Sequence, residues 1–185
     1  MKNMTKPNYK EIRGLRDILD YRKQFDVYLA CDFETTQGKS RIPFYEDIGK
    51  IIERLGKRVF LPHRELDLNE DPGRLVAIAL GVVLPSSDIV LAYLGGESGS
   101  TGIVIGRAGG LDIPVTYLYQ ENGVGLDSLK YGLVSIDTNT GRTKSKVVDP
   151  GFRGNIYDLI EFKDDNEALK KIEASMRAFY KQSIV

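Results

Sequence analysis

Cysteine and histidine are scarce in this sequence. Among its 185 residues, only Cys31 is a cysteine and only His63 is a histidine. A single cysteine excludes a disulfide bond within the chain and is typical of a reducing compartment. One cysteine and one histidine also argue against a zinc site built from these residue types. We therefore expect a cytoplasmic protein without a metal ion, and no motif indicates a cofactor.

An excess of charge and a long apolar run are also lacking. Lys and Arg together number 26, as do Asp and Glu, so the formal net charge is zero. This balance gives no reason to expect a nucleic acid polymer or an anionic membrane as partner. The uncharged stretch 75–87 contains Gly81 and Pro85 and is too short to span a bilayer. The first 17 residues contain no apolar segment, so no signal peptide is predicted.

Hydrophobic residues make up 42% of the chain, enough for a real core. Apolar runs suited to strands alternate with segments that have the spacing of amphipathic helices, and Gly56 is placed to end one of these helices. The predicted strands are 26–33, 58–62, 88–94, 112–119 and 157–162. The predicted helices are 8–24, 44–55, 74–84 ending at Pro85, 102–109 and a closing helix around 169–179.

This alternation predicts an α/β domain with a Rossmann-like parallel sheet of five strands and helices on both faces. The strands 26–33 and 88–94 are apolar on both faces, which favours neighbouring positions in the middle of the sheet. Residues 1–24 read as an N-terminal helical extension and 25–185 as the domain, which includes a C-terminal strand–helix extension. Residues 135–148 alternate weakly around Asn139-Thr140-Gly141 and predict a surface hairpin. The sequence assigns no role to residues 1–24 or 121–156.

A loop rich in glycine and serine follows the strand at 88–94. In an open α/β sheet, ligands lie beyond the carboxyl ends of the strands, and free N–H groups at a helix N-terminus favour an anion or a sugar hydroxyl. The loop is not a Walker loop, because no Gly-Lys-Ser/Thr follows. A turn capped by Ser or Thr, in a structural oligomer that binds nothing there, is the plainer alternative. The predicted ligand contacts of this loop are Gly95, Gly96, Ser98, Gly99, Ser100, Thr101 and Gly102.

The segment VYLACDF, the strand SDIVLAYL, and SGSTGIVIGRA followed by DIPV resemble the nucleoside 2-deoxyribosyltransferase family. That family includes the 2′-deoxynucleoside 5′-phosphate N-hydrolases. The resemblance covers residues 26–120 and implies a flavodoxin-like fold, a homodimer or larger oligomer, and transfer or hydrolysis of an N-glycosidic bond. It also implies that the first-strand segment and a histidine after the second strand line the pocket. The corresponding residues are Tyr28, Cys31, Asp32, Phe33 and His63.

The chain departs from the family pattern at the positions that carry the family's catalytic carboxylates. The family motif Gly-x-Glu-x-Gly-x-Ala carries the nucleophilic glutamate, and here Val104 stands in its place. Relatives also carry an aspartate on the preceding helix, where this chain has Leu80. A valine has no lone pair to offer a developing oxocarbenium ion, so covalent catalysis at position 104 is impossible. The remaining candidate catalytic carboxylates are Glu97 and Asp32.

Two functions follow as expectations. The first is a deoxyribosyltransferase-like protein that binds nucleosides or nucleoside 5′-monophosphates, with its N-glycosidase or transferase activity weak or lost. The second is a non-catalytic nucleotide-binding or sensing module that acts through oligomer contacts. The sequence leaves open the base, the sugar, the phosphate and whether Val104 is natural.

Overall fold

The computed structural model describes residues 21, 24–32, 39–67, 69–95, 99–121, 135–136, 143–144 and 156–182. In chain order the described elements are β1 (Val27–Ala30), α1 (Ile42–Arg54), β2 (Val59–Phe60), α2 (Pro62–Glu65), α3 (Pro72–Val76), a π-helical segment (Ala77–Val83), a 3₁₀ turn (Leu84–Ser86), β3 (Ile89–Tyr93), α4 (Gly99–Gly110), β4 (Val115–Gln120), β5 (Ser135–Ile136), β6 (Thr143–Lys144), β7 (Ile156–Phe162) and α5 (Asp165–Gln182).

Five strands form one sheet in the order β2-β1-β3-β4-β7, and every neighbouring pair is parallel. This is the strand order of flavodoxin-like folds, as predicted. The strands β1 and β3 lie side by side inside the sheet, with Val27 opposite Ile89. The prediction that these two strands, apolar on both faces, are neighbours in the middle of the sheet is therefore confirmed. β5 and β6 pair antiparallel, in agreement with the predicted hairpin, whose turn lies outside the described residues.

Helices cover both faces of the sheet and bury a separate apolar cluster on each. On one face, α3, the π-helical segment and α4 pack over side chains such as Tyr28 and Val90. On the other face, α1 and α5 pack over side chains such as Leu29 and Leu91. Successive residues of a strand point to opposite faces, so β1 and β3 contribute to both clusters.

The helix α1 shows how the sequence determines local structure. Its apolar positions recur at helical spacing and bury Phe44, Ile48 and Ile52 against the sheet. Gly56 follows with φ of 74°, the left-handed conformation that glycine adopts without steric cost after a helix C-terminus. The predicted helix and its end are both found.

The region between β2 and β3 differs from the prediction. The sequence predicts only the helix 74–84 between these strands, but α2 begins at Pro62 and α3 begins at Pro72. Asp71 caps α3, because its carboxylate accepts a hydrogen bond of 2.8 Å from the Arg74 amide. Helical structure also continues through Pro85, since proline fits the first turn of the terminal 3₁₀ segment.

The predicted N-terminal helix over 8–24 lies outside the described residues except for Tyr21 and Gln24. Tyr21 is helical and buried, and its ring packs edge-on against Phe25 with centroids 5.6 Å apart. Phe25 in turn contacts Phe60 of β2, with centroids 5.2 Å apart. The division between an extension at 1–24 and a domain at 25–185 stays a prediction.

Candidate functional site

A cavity of about 150 Å³ lies at the carboxyl end of β1, between the π-helical segment and the first turns of α4. The chain crosses over at this point, because β2 lies on one side of β1 and β3 on the other. Open α/β sheets bind ligands at such a crossover. The residues that line the cavity are Tyr28, Leu29, Ala30, Cys31, Pro62, Leu66, Leu75, Val76, Ala79, Leu80, Ser100, Thr101, Ile103 and Val104.

The walls of the cavity differ in chemistry. All lining residues between positions 66 and 80 are aliphatic, and this set is called the aliphatic wall: Leu66, Leu75, Val76, Ala79 and Leu80. The facing elements β1 and α4 supply the side-chain hydroxyls of Tyr28, Ser100 and Thr101. Among the described lining residues, no side chain carries a formal charge. The cavity thus suits a neutral, largely apolar group with polar atoms along one edge.

Apolar side chains also flank the entrance. Val76 is 56% exposed and Ile103 is 61% exposed, and these are the large hydrophobic residues that the described part of the chain leaves in solvent. Both line the cavity, Val76 from α3 and Ile103 from α4. An exposed apolar rim around a cavity is typical of a ligand-binding or association surface.

Burial keeps two ionisable side chains neutral, Tyr28 in β1 and Cys31 directly after it. Desolvation raises the pKa of the Tyr28 phenol, and a charge on the Cys31 thiol would raise it further. Desolvation likewise raises the pKa of Cys31, with the adjacent Asp32 carboxylate adding to the effect. A thiol with a raised pKa is a poor nucleophile, because the thiolate is the reactive form. Cys31 therefore acts as a wall of the cavity rather than as a reactive group.

The structure brings several predicted site residues together in this cavity. Tyr28, Cys31, Ser100 and Thr101 all line it. Val104, which stands where the resembled family carries its nucleophile, is 7% exposed and faces the same space. Leu80, the second departure from the family pattern, faces it from the π-helical segment.

Other predicted residues lie elsewhere. His63 is in α2 and its Nε2 is 2.7 Å from the Glu46 carboxylate of α1, so it does not line the cavity. Asp32 is buried after β1 without lining the cavity. Gly95 packs against Tyr93, and Gly102 is exposed. Phe33, Gly96, Glu97 and Ser98 lie outside the described residues, so the site assignment as a whole stays a prediction.

Helix α4 begins earlier than predicted. We expected a loop through Gly102, but the helix starts at Gly99, so Ser100 and Thr101 lie in its first turn. The glycines misled the prediction, since Gly99 and Gly102 are poor helix formers by propensity and tertiary packing overrides this weak preference. Thr101 is 3% exposed and points into the fold, whereas Gly102 lies on the outer side.

The sequence reasoning missed most of the aliphatic wall. The sequence predicts a helix over 74–84, of which only Leu80 is singled out. In the structure Leu75 and Ala79 of this stretch line the cavity, while Ile78 and Val83 pack in the apolar cluster against the sheet. The signal available in the sequence was that this predicted helix is apolar on more than one face.

Among the described residues, no helix combines the length and apolar character needed to cross a bilayer. The same residues contain no cluster of three or more His, Cys, Asp or Glu side chains arranged to hold a metal ion.

Known structures share this fold. No protein-family model matches the chain, and no curated protein matches its sequence. The CMP N-glycosidase BcmB of Clostridium botulinum matches with a TM-score of 0.51 and 17% identity, over 80% of this chain and 98% of that one. A conserved protein from Enterococcus faecalis V583 matches with a TM-score of 0.53 and 18% identity, over 82% and 98%. A 2-deoxyribosyltransferase from Bacillus psychrosaccharolyticus reaches a TM-score of 0.46 and 17% identity, over 76% and 88%. At these identities the likeness establishes the fold.

Proposed function

We propose that this protein binds a nucleoside or a nucleoside 5′-monophosphate in the cavity between the π-helical segment and α4, and that its N-glycosidic chemistry is weak or lost. One observation carries the proposal. Val104 and Leu80, which stand where the resembled family has carboxylates, face the same cavity. The cavity lies where open α/β sheets bind ligands, and the two positions that would carry carboxylates are aliphatic.

The chemical argument concerns the charge that develops on the sugar. When the base leaves, the anomeric carbon becomes cationic, and a carboxylate within a few ångströms must stabilise or trap it. Val104 and Leu80 offer only methyl groups, and a cation buried against methyl groups is strongly disfavoured. Binding of the intact nucleoside needs no such carboxylate, because its sugar is uncharged. The cavity therefore supports recognition of the ligand better than its cleavage.

If the protein is active, another carboxylate must serve. Glu97, in the loop before α4, and Asp32, after β1, remain the candidates. Asp32 is 8% exposed and interacts electrostatically with Cys31, which lines the cavity. The fold shared with a CMP N-glycosidase supports a nucleotide as ligand class.

The absence of a carboxylate from the described lining favours the second candidate, a non-catalytic nucleotide-binding or sensing module that acts through oligomer contacts. A homodimer or larger oligomer is part of both candidates. The exposed Val76 and Ile103 support it, as do Gly102, Gly106 and Gly110, which recur on α4 with open space around their Cα atoms. Small residues at this spacing allow another surface to approach the helix backbone. We place the protein in the cytoplasm because of its single cysteine.

Restoring the carboxylate tests the proposal. We expect Val104→Glu to raise release of free base from deoxynucleosides or their 5′-monophosphates at least about tenfold over the unmodified chain, because it places a carboxylate in the cavity where the family pattern has its nucleophile. Leu80→Asp is added if a second carboxylate is needed. The measurement is chromatography of the released base.

The matched control is Gly81→Glu, which adds the same group to the π-helical segment where a side chain meets open space outside the cavity. It should release no more base than the unmodified chain. Calorimetric titration with the same compounds reports binding separately. Robust turnover by the unmodified chain, undiminished by Glu97→Gln and Asp32→Asn, contradicts the loss of activity. No binding of any nucleoside or nucleotide contradicts the proposed ligand class.

A further inference from the structure

We infer that the cavity selects a thymine-type base: a single neutral ring with a small alkyl substituent on the edge that faces the aliphatic wall. The inference rests on the proposed function and goes beyond it by naming the base. Ala79 is the residue that determines the preference. Three properties of the cavity lead to this assignment.

The first property is volume. The cavity measures about 150 Å³, and an apolar protein cavity of roughly this volume holds a single aromatic ring such as benzene. A pyrimidine fits this space, with its sugar outside, toward the first turn of α4. A purine has a second fused ring and needs more room than the described walls leave.

The second property is the chemistry of the aliphatic wall. Leu66, Leu75 and Ala79 offer no side-chain donor or acceptor to a ring edge that contacts them. A polar substituent on that edge would lose its hydrogen bonds to water and find no side-chain acceptor in exchange. A methyl group loses nothing and removes apolar surface from water. Uracil and cytosine both carry only a hydrogen at the ring carbon that bears the methyl group of thymine, so neither gains this contact with the wall.

The third property is the position of the hydroxyls. Tyr28, Ser100 and Thr101 come from β1 and α4, across the cavity from the aliphatic wall. A neutral hydroxyl both donates and accepts, so this side can pair with the carbonyl and N–H groups of a pyrimidine. The ring therefore has one orientation that satisfies both sides, with its polar edge toward the hydroxyls and its alkyl group toward Ala79.

Ala79 has the smallest side chain of the aliphatic wall and is 7% exposed. Its single methyl group leaves space that a leucine at this position would fill. Ala77, two residues earlier in the same π-helical segment, is exposed and does not line the cavity. The chain therefore offers a test position and a matched control within one helical turn.

Calorimetric titration with thymidine, 2′-deoxyuridine, 2′-deoxycytidine and 2′-deoxyadenosine tests the inference, each compound also being used as its 5′-monophosphate. Thymidine and deoxyuridine differ by one methyl group. We expect the thymine compounds to bind at least about tenfold tighter than the uracil compounds, the lower end of what one methyl is worth in an apolar pocket. The cytosine compounds also lack the methyl group and should show no advantage over the uracil compounds, and the adenine compounds should bind more weakly still.

Two substitutions test whether the wall causes the preference. Ala79→Ser adds a hydroxyl beside the methyl group with almost no change in volume, and we expect it to lower the ratio of thymine to uracil affinity at least about threefold. Ala79→Val fills the space and should remove the advantage of thymine altogether. Ala77→Ser should leave the ratio of thymine to uracil affinity unchanged. Circular dichroism verifies that each variant is folded, and Ala79→Ser alone decides if Ala79→Val does not fold.

The outcomes separate the inference from the function on which it rests. Equal affinity for thymine and uracil compounds, a preference for cytosine or a purine, or an Ala77→Ser effect equal to that of Ala79→Ser overturns the inference and leaves nucleoside binding standing. The absence of binding by all eight compounds rejects the proposed function, and the inference with it. A thymine preference that Ala79→Ser lowers and Ala77→Ser preserves supports both.

Discussion

At the scale of single residues, Gly95 occupies a position at the end of β3 that leaves no room for a side chain. A Cβ atom built there would overlap the hydroxyl and ring of Tyr93. Tyr93 is 5% exposed, and its ring packs against Phe44 and Tyr45 with centroids 5.7 Å away in both cases. The ring has little freedom to move aside, so the chain must keep glycine here.

We expect Gly95→Ala to lower the free energy of unfolding by about 1–3 kcal/mol, the usual cost of overpacking a filled interior. Denaturant unfolding measures it. Gly81→Ala is the control, because a Cβ there meets open space on the π-helical segment and alanine favours a helix over glycine. This control should be neutral or stabilising. Tyr93→Phe should partly rescue Gly95→Ala, since it removes the overlapping hydroxyl. A loss below about 0.5 kcal/mol for Gly95→Ala contradicts the steric argument.

Single residues also show what could be predicted from the sequence. Leu80 and Val104 line the same cavity from different helices, and spacing within one helix could not predict that they meet. Nor could it predict the position of His63. Its side chain turns to Glu46, 17 residues earlier in the chain, and no local pattern reports a partner on another helix. The geometry around such a residue depends on how α1 and α2 pack.

At the scale of elements, a carboxylate joins α1 to α2. Glu46 of α1 pairs with both side chains of α2 that face it, the Arg64 guanidinium and the His63 ring. The hydrogen bonds from Arg64 are the main cause that lowers the pKa of Glu46 from 4.5 to about 2, and the contact with His63 adds to them. The opposing desolvation is smaller than the contribution of Arg64.

Because the folded pKa of Glu46 is lowered, the stability it contributes is present above pH 4.5 and is lost as the pH falls toward 2. The pair is partly exposed, so we expect a loss of about 1 kcal/mol. Urea unfolding between pH 7 and pH 2.5 measures it. The gap in stability between the natural chain and Glu46→Gln should narrow across this window.

Glu53→Gln is the control for that experiment. It removes the other carboxylate that Arg64 contacts, at 2.8 Å, and keeps Glu46 in place. It should retain the acid dependence of the natural chain. A gap between the natural chain and Glu46→Gln that stays constant from pH 7 to pH 2.5 would show that Glu46 does not contribute through its charge.

At the scale of the whole molecule, two large apolar side chains that line the cavity, Val76 and Ile103, are exposed in the described part of the chain. We expect light scattering at micromolar concentration to report a dimer or larger oligomer. Ile103→Glu should shift the distribution toward the monomer, because a carboxylate on a closely packed interface is costly to bury. Lys181→Glu, on α5 across the sheet, should leave assembly unchanged. A monomer for the natural chain at these concentrations contradicts the prediction.

At this scale the sequence predicts the arrangement of the sheet better than the form of its helices. The two-sided apolar strands β1 and β3 could only be buried in the middle, and the spacing of strands and helices required a parallel sheet. The mixture of α3, π-helical and 3₁₀ structure over 72–86 could not be predicted. Apolar periodicity locates a helix, whereas the hydrogen-bond pattern within it depends on the packing of each turn.

The π-helical segment Ala77–Val83 determines which side chains of this stretch line the cavity. A π turn closes its hydrogen bond over one more residue than an α turn. Removal of one residue from this segment would rotate the residues beyond it by roughly 100°. Different side chains would then face the cavity although no residue had been replaced, so the lining depends on the length of this helix as well as on its composition.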